Sequence, residues 1–212
     1  MNAFIIVDVQ NDFLPGGALA VPNGDRVIPA INRLMDRFEL VVATRDWHPA
    51  EHKSYAVNHP GREVGHVIDL NGLPQVLWPV HCVAGTRGAE FAPGLNVSKI
   101  DRVFKKGDDP GIDSYSGFFD NGHRKSTGLG EFLEARGMGD VYIAGLATDY
   151  CVKFTALDAV ELGFGAHVII DACRGVNLRP GDADAAIAEM NAAGVRVIRS
   201  RDVEAKKLEN AI

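Results

Sequence analysis

Three residues whose side chains could carry out nucleophilic catalysis stand at the ends of predicted strands. Asp8 closes an apolar run, Lys106 closes a strand-like segment, and Cys151 lies at the start of a helix that follows a strand. In open α/β sheets, ligands bind beyond the carboxyl ends of the strands, so the three side chains are expected to converge there. A carboxylate can take the proton of a thiol, and a neighbouring ammonium favours the thiolate. The set therefore predicts a cysteine nucleophile with Asp8 as its base.

Each of these residues also has an ordinary structural explanation. A carboxylate at a strand end is often a turn residue, most lysines face solvent, and a cysteine is usually a small buried apolar residue. Cys151 differs because the unpaired N–H groups and the dipole at a helix start favour a thiolate. Cys82 and Cys173 do not begin a long helix at a strand exit, so Cys151 is the favoured nucleophile.

A second group of residues has the composition of a metal site. Asp46 and His48 are two positions apart, so in an extended segment both side chains point to the same side. Four further histidines are near enough in sequence to supply a third ligand: His52, His59, His66 and His81. Three nitrogen and oxygen ligands with open positions are typical of a catalytic Zn, Fe or Mn site. A loop that merely carries surface histidines explains the residues equally well, so both interpretations stay open.

The elements that must position these residues alternate between strand and helix. Apolar, partly β-branched runs predict strands at residues 3–7, 40–43, 102–105, 141–145, 166–170 and 195–198. Helices are predicted from Asp25, from Ser126 or Thr127, around Cys151 and over residues 183–193. This alternation predicts an α/β fold in which a parallel sheet is covered by helices on both faces.

The chain is expected to form one domain over residues 1–212. Residues from about 46 to 98 are irregular, and a compact domain seldom keeps so long a stretch without a functional reason. We therefore interpret this stretch as an insertion that carries the metal site. The polar tail after Arg199 is expected to be a surface helix or frayed.

Composition narrows the class of partner and the compartment. The formal net charge is -6 and the basic residues are scattered, which argues against nucleic-acid or anionic-membrane partners. The apolar runs are far shorter than a membrane span, and the amino-terminal residues do not resemble a secretion signal. Three cysteines without the spacing of a disulfide framework favour a reducing cytoplasm. Homo-oligomer formation is left open.

Six segments together resemble nicotinamidases, which belong to the isochorismatase-like cysteine hydrolases. They are DVQNDF at 8–13, DWH at 46–48, WPVHC at 78–82, KG at 106–107, SYSGF at 114–118 and GLATDYCV at 145–152. The resemblance runs in order from residue 3 to about residue 198. It implies a three-layer αβα sandwich on a six-stranded, mainly parallel sheet.

The resemblance also implies how the site residues divide. It assigns Asp8, Lys106 and Cys151 to a catalytic triad, and it assigns one divalent ion, with Zn favoured over Fe or Mn, to three ligands: Asp46, His48 and His81. The family often has a further metal contact eight positions after the aspartate, which is Ser54 in this sequence, with His52 close by. A cis peptide is expected between Ala147 and Thr148.

The reaction implied by the resemblance is hydrolysis of nicotinamide to nicotinate and ammonia in NAD salvage, with pyrazinamide as a second substrate. Phe13 and Trp78 are the expected walls for the flat pyridine ring, and Tyr115 is expected to line the pocket. Backbone N–H groups of Ala147 and Cys151 are the expected oxyanion donors, and a cysteine thioester is the expected intermediate.

Three other functions remain as alternatives. One is a related amidase for an N-carbamoyl or maleamate-like substrate, whose members usually lack the metal segment. Another is a metallohydrolase that uses a metal-bound water, with Cys151 structural. The last is a non-catalytic binding module, which explains neither the triad nor the metal ligands.

Overall fold

The computed structural model describes residues 1–203. Most of the polar tail after Arg199, which was expected to be a surface helix or frayed, lies outside the described residues. The strands are β1 (Asn2–Val7), β2 (Leu40–Asp46), β3 (Val67–Leu70), β4 (Leu73–Val76), β5 (Arg102–Lys106), β6 (Asp140–Leu146), β7 (Gly165–Arg174) and β8 (Arg196–Ile198). The α-helices are α1 (Ile28–Met35), α2 (Leu129–Glu134), α3 (Lys153–Glu161) and α4 (Asp182–Ala192).

Six of the strands form one sheet in the order β5-β2-β1-β6-β7-β8. Every pairing between neighbours in this sheet is parallel. The chain steps from β1 to β2 in one direction along the sheet and from β5 to β6, β7 and β8 in the other. With right-handed crossovers, α1 therefore covers one face of the sheet, and α2, α3 and α4 cover the other. The predicted three-layer α/β architecture on a six-stranded parallel sheet is confirmed.

The centre of the sheet is the most apolar part of the core. All five apolar residues of β1, from Ala3 to Val7, have no exposed surface. Such a continuous apolar run is typical of a parallel strand that is covered on both faces. Each fully buried large aliphatic or aromatic side chain contributes about 1.5–3 kcal/mol, so this strand anchors the sheet.

The order of the strands creates a crevice at one rim of the sheet. From β1 the chain crosses to β2 on one side, whereas from β6 it crosses to β7 on the opposite side. At such a switch point the loops that follow two adjacent strands diverge, which leaves room for a ligand. Asp8 directly follows β1, and Cys151 follows β6 within the turn Thr148–Val152.

The structure differs from the sequence prediction in several elements. The stretch from 46 to 98 contains an antiparallel hairpin, β3–β4, which was missed because its strands have four residues each and Pro74 argues against a strand. Asp25 does not cap a helix; it lies in the 3-10 turn Gly24–Val27, and α1 begins at Ile28, next to Pro29. Residues 148–152 form a π-helical turn that leads directly into α3.

None of the helices within residues 1–203 is both long enough and apolar enough to cross a bilayer.

A glycine in β6 offers a direct test of this architecture. Gly145 has a φ of +131°, and a Cβ added to it would lie 2.1 Å from the carbonyl oxygen of Val7 in β1. We expect Gly145→Ala to lower the free energy of unfolding by about 1–3 kcal/mol from backbone strain alone, and by more through the clash. Urea denaturation measures this change.

Gly139→Ala is the matched control, because a Cβ at Gly139 meets no atom within 4 Å. Its free energy of unfolding should stay within about 0.5 kcal/mol of the parent protein. Equal stability of the two variants would contradict the close approach of β6 to β1.

Candidate active site

The centre of the site is the buried ammonium group of Lys106. Its Nζ lies 2.9 Å from Asp8 Oδ2, donates to Asp46 Oδ1 and donates to the carbonyl oxygen of Ser114 at 2.9 Å. The same nitrogen is 3.4 Å from Cys151 Sγ. Burial by itself would lower the pKa of Lys106, but the carboxylates of Asp46 and Asp8 raise it well above its ordinary value. The lysine therefore remains a cation without any contact with water.

The surroundings of Cys151 favour its protonated form. Its side chain is buried, and burial raises the pKa of the thiol well above its ordinary value. Lys106 acts in the opposite direction, as the sequence predicted, but Asp8 and Asp46 add to the effect of burial. Lys106 favours the thiolate, as expected, but the loss of water on burial acts against it. The thiol needs a base.

Asp8 is placed to be that base. Its φ of +48° turns the chain directly after β1, and its Oδ1 accepts a 2.7 Å hydrogen bond from the hydroxyl of Thr44. One carboxylate oxygen of Asp8 lies within 4.8 Å of both Cys151 Sγ and an oxygen of Asp46. Burial raises the pKa of Asp8, and Lys106 counteracts this only in part. A carboxylate with a raised pKa accepts a proton more readily at neutral pH.

The pKa of the Asp46 carboxyl is shifted in the direction opposite to that of Asp8. Although burial opposes it, Lys106 and His48 hold the pKa of the Asp46 carboxyl well below its ordinary value. Two neighbouring carboxyls whose pKa values are pushed apart take different roles. Asp8 can therefore exchange protons, while Asp46 remains an anion and can ligate a cation.

Three donor atoms converge on one point beside Asp46. Its Oδ2 lies 3.6 Å from His48 Nε2 and 3.8 Å from His81 Nε2. The other ring nitrogens, the two Nδ1 atoms, lie 2.8 Å from the carbonyl oxygens of Gly107 and Pro79. Carbonyl oxygens only accept, so each Nδ1 carries a proton, and each Nε2 is the nitrogen that could ligate a metal ion in the neutral imidazole. One carboxylate oxygen and two lone pairs fit a divalent cation.

Gly107 is required for the position of the His48 ring. Its φ is +65°, and a Cβ at this residue would lie 2.3 Å from Cε1 of His48. Only glycine lets the backbone after β5 approach the imidazole closely enough to accept its Nδ1 proton. The glycine after Lys106 therefore positions the neighbouring candidate metal ligand.

Two residues that the sequence analysis did not select hold the segments of the candidate metal ligands in place. The side-chain amide of Gln10 donates to the carbonyl oxygen of Asp46 at 2.8 Å and accepts from its N–H at 2.8 Å. Asp12 accepts a 2.7 Å hydrogen bond from the N–H of Cys82, next to His81. Both belong to the segment DVQNDF, but nothing in that segment indicates which distant backbone groups it binds.

The expected fourth metal contact remains a prediction. The hydroxyl of Ser54 lies 2.7 Å from His52 Nδ1, which also accepts the Ser54 N–H at 3.2 Å. The His52 ring packs against that of His48, with centroids 4.3 Å apart. Neither residue belongs to the group of donors formed by Asp46, His48 and His81.

A cavity opens between the thiol and the candidate metal donors. All three expected ring contacts line it: Phe13, Trp78 and Tyr115. The sequence analysis missed four further lining residues: Leu19, Asp113, Tyr150 and Val176. Tyr150 was the easiest to find, because it directly precedes Cys151; its ring meets that of Trp78 edge-on at 4.8 Å.

The cis peptide lies between Leu146 and Ala147, one residue earlier than expected. The correction follows from the length of β6, which ends at Leu146, so that the turn begins at the last strand residue. Ala147 and Cys151, the expected oxyanion donors, both line the cavity. Their role in binding an oxyanion stays a prediction.

Other residues considered from the sequence lie apart from the cavity. Lys105 is exposed and its Nζ lies 4.2 Å from the centre of the Trp47 ring. Cys82 and Cys173 are buried, and Cys173 Sγ lies 3.3 Å from the carbonyl oxygen of Ile169. His59 and His66 are not among the metal donors.

Comparison with known proteins places the chain in a family. The model of the isochorismatase domain matches residues 2–202. The nicotinamidase of Escherichia coli K12 is 50% identical over 96% of this chain and 97% of its own length.

Solved structures give the same result. A nicotinamidase/pyrazinamidase from Acinetobacter baumanii has a TM-score of 0.93 and 48% identity over 95% of this chain and 97% of its own. A pyrazinamidase from Pyrococcus horikoshii, solved with zinc, has a TM-score of 0.75 and 38% identity over 93% and 98%. Because a family model spans nearly all of the described residues, and a relative shares half of the sequence, the chain belongs to the isochorismatase family.

Proposed function

We propose that this protein is a nicotinamidase, an amidohydrolase that converts nicotinamide to nicotinate and ammonia. The observation that carries the proposal is one cavity that exposes the Cys151 thiol together with the three metal donors. The relatives named nicotinamidase support it, since their likeness covers nearly the whole chain. Pyrazinamide, which differs from nicotinamide by one ring nitrogen, is the second proposed substrate.

Substrate binding uses both ends of the cavity. Asp46, His48 and His81 would hold a divalent ion, for which zinc is proposed because the relative from Pyrococcus horikoshii was solved with zinc. When bound, the ion supplies an electrophilic anchor for the ring nitrogen and draws electron density from the ring. Phe13 and Trp78 offer aromatic faces to the flat ring, and the carboxamide then points toward the thiol.

Formation of the acyl enzyme begins with proton transfer from Cys151 to Asp8. The thiolate, stabilised by Lys106, attacks the carboxamide carbon, and negative charge develops on the carboxamide oxygen. Backbone N–H groups of Ala147 and Cys151 would stabilise this oxyanion by about 3–4 kcal/mol per donor. Asp8 then gives the proton to the departing nitrogen, so that ammonia leaves and a thioester remains.

Hydrolysis of the thioester reverses the proton path. Asp8, again a carboxylate, takes a proton from water, and the resulting hydroxide attacks the thioester carbon. The carbon–sulfur bond breaks, nicotinate is released and the proton returns to the Cys151 sulfur. The raised pKa of Asp8 suits a group that must both accept and return a proton.

The metabolic setting extends the proposal. Nicotinate is a pyridine precursor, so we place the reaction in NAD salvage, as the family resemblance implies. Three buried free cysteines are in keeping with a reducing cytoplasm.

A panel of amides tests the function directly. Ammonia release should be fast with nicotinamide and pyrazinamide and at least about 100-fold slower with benzamide, because benzamide has the same shape but no ring nitrogen for the metal. Maleamate and N-carbamoyl amino acids should release little ammonia. Turnover of these two compounds without turnover of nicotinamide would replace the proposal with the related-amidase alternative.

The metal site is tested by its affinity. After dialysis against metal-free buffer, the protein should retain about one tightly bound divalent ion per chain, and His81→Ala should lose most of it. His66→Ala is the control, because His66 is exposed and is not one of the donors. Elemental analysis measures the content, and circular dichroism should show that the sheet remains folded. Full activity of a metal-free protein would refute the assignment.

The roles of Asp8 and Lys106 are separated by alkylation. Asp8→Asn should lower turnover by about 10²–10⁴-fold or more, because an amide cannot accept the thiol proton. Lys106→Met should raise the pKa of Cys151 further, since the cation that opposes burial is gone. The rate of iodoacetamide labelling against pH should therefore shift to higher pH.

Lys105→Met is the matched control for the lysine, and it should leave this pH profile unchanged. Mass spectrometry should find the label on Cys151. If Lys106→Met folds poorly, Lys106→Arg replaces it, and because this variant keeps the positive charge it should retain part of the labelling. Inactivation that follows a label on Cys173 would contradict the assignment of the nucleophile.

A further inference from the structure

A second group of possible metal donors lies away from the active site. His123 Nε2 is 3.2 Å from Asp158 Oδ1, and Glu161 stands one turn further along α3 from Asp158. One donor atom from each of the three residues lies within 4.8 Å of the others. The set mixes one imidazole with two carboxylates, which are donors that Zn²⁺ accepts.

Asp158 has an oxygen that the protein itself does not satisfy. The side chain is 8% exposed, and its Oδ2 is buried without a hydrogen-bond partner among residues 1–203. Burial raises the pKa of this carboxyl; Ser116 and His123 act in the opposite direction, and Glu161 adds to the effect of burial. An unpaired buried carboxylate oxygen is costly, and a bound cation would relieve that cost and offset the repulsion between Asp158 and Glu161.

The approach to this group is open. A surface cavity is lined by both His123 and Asp158 and also by Tyr115. The imidazole of His123 is 44% exposed at its side chain, and its ring stacks on that of Phe119 at 4.8 Å. An ion can therefore reach the donors from solvent without opening the core.

We propose that His123, Asp158 and Glu161 form a second binding site for a divalent transition-metal ion of the Zn²⁺ class. Ligand atoms about 2.0–2.1 Å from a tetrahedral ion are about 3.4 Å apart, and the His123 to Asp158 separation of 3.2 Å already matches this. The exposed carboxylate of Glu161 closes on the ion by rotating its side chain. Solvent fills the fourth position.

The location of the site gives it a structural role. His123 belongs to the loop that follows β5, and the same loop supplies Tyr115 to the active-site cavity and the Ser114 carbonyl to Lys106. Asp158 belongs to α3, which follows the turn that carries Cys151. An ion at this site would link this loop to α3. It would thereby stabilise the loop that carries Tyr115 and Ser114 relative to the helix that follows Cys151.

Calorimetric titration with ZnSO₄ tests the proposal. The protein is first loaded with one Zn²⁺ per chain at the Asp46 site and dialysed, so that only weaker sites are titrated. We expect one further equivalent to bind, and we expect His123→Ala and Glu161→Gln each to weaken it at least about 10-fold. The added Zn²⁺ should also raise the melting temperature of the loaded parent protein but not that of His123→Ala.

His66→Ala is the matched control, since it removes another exposed histidine and should leave the second equivalent in place. Circular dichroism confirms that each variant is folded. The proposal is overturned if the loaded parent protein binds no further equivalent. It is equally overturned if both His123→Ala and Glu161→Gln bind that equivalent as tightly as the parent does.

Discussion

The site depends on one buried cation and the anions that surround it. An ammonium group without water is tolerated only when its hydrogens all find acceptors and its charge is balanced. Lys106 donates to Asp46, the Ser114 carbonyl and Cys151 Sγ, and the carboxylates of Asp46 and Asp8 balance its charge. These partners come from four separate parts of the chain, so the lysine draws the ends of β1, β2 and β5, the loop after β5 and the turn after β6 to a common point.

The ammonium group of Lys106 also lies between the candidate metal donors and the Cys151 thiol. Asp46 directs one carboxylate oxygen to Lys106 and the other to the two histidines, while Asp8 faces both the lysine and the thiol. The metal donors and the nucleophile thus belong to one electrostatic network. Removing any one charge changes the proton affinity of the others, and their contributions to catalysis are not additive.

The site residues that could be predicted from the sequence were recognised by their position at the ends of predicted strands. Asp8 was found because it directly follows an apolar run, Lys106 because it closes a strand-like segment, and Cys151 because it follows a turn between strand and helix. The choice of His81 came only from family resemblance, since a loop brings it to Asp46 across 34 intervening positions of no regular period. Gln10 was missed for a related reason: its partners are backbone groups, which have no sequence signature.

The position of β5 in the sheet has a consequence for the lifetime of the enzyme. This strand lies at one edge of the six-stranded sheet and pairs only with β2, with Lys106 in register with Asp46. Edge strands with few neighbours open locally at a lower free energy than the whole domain. Its five residues can fray while the centre of the sheet stays intact, and the ammonium then leaves the thiol and both carboxylates together. Local opening at this edge would therefore be enough to dismantle the site without global unfolding.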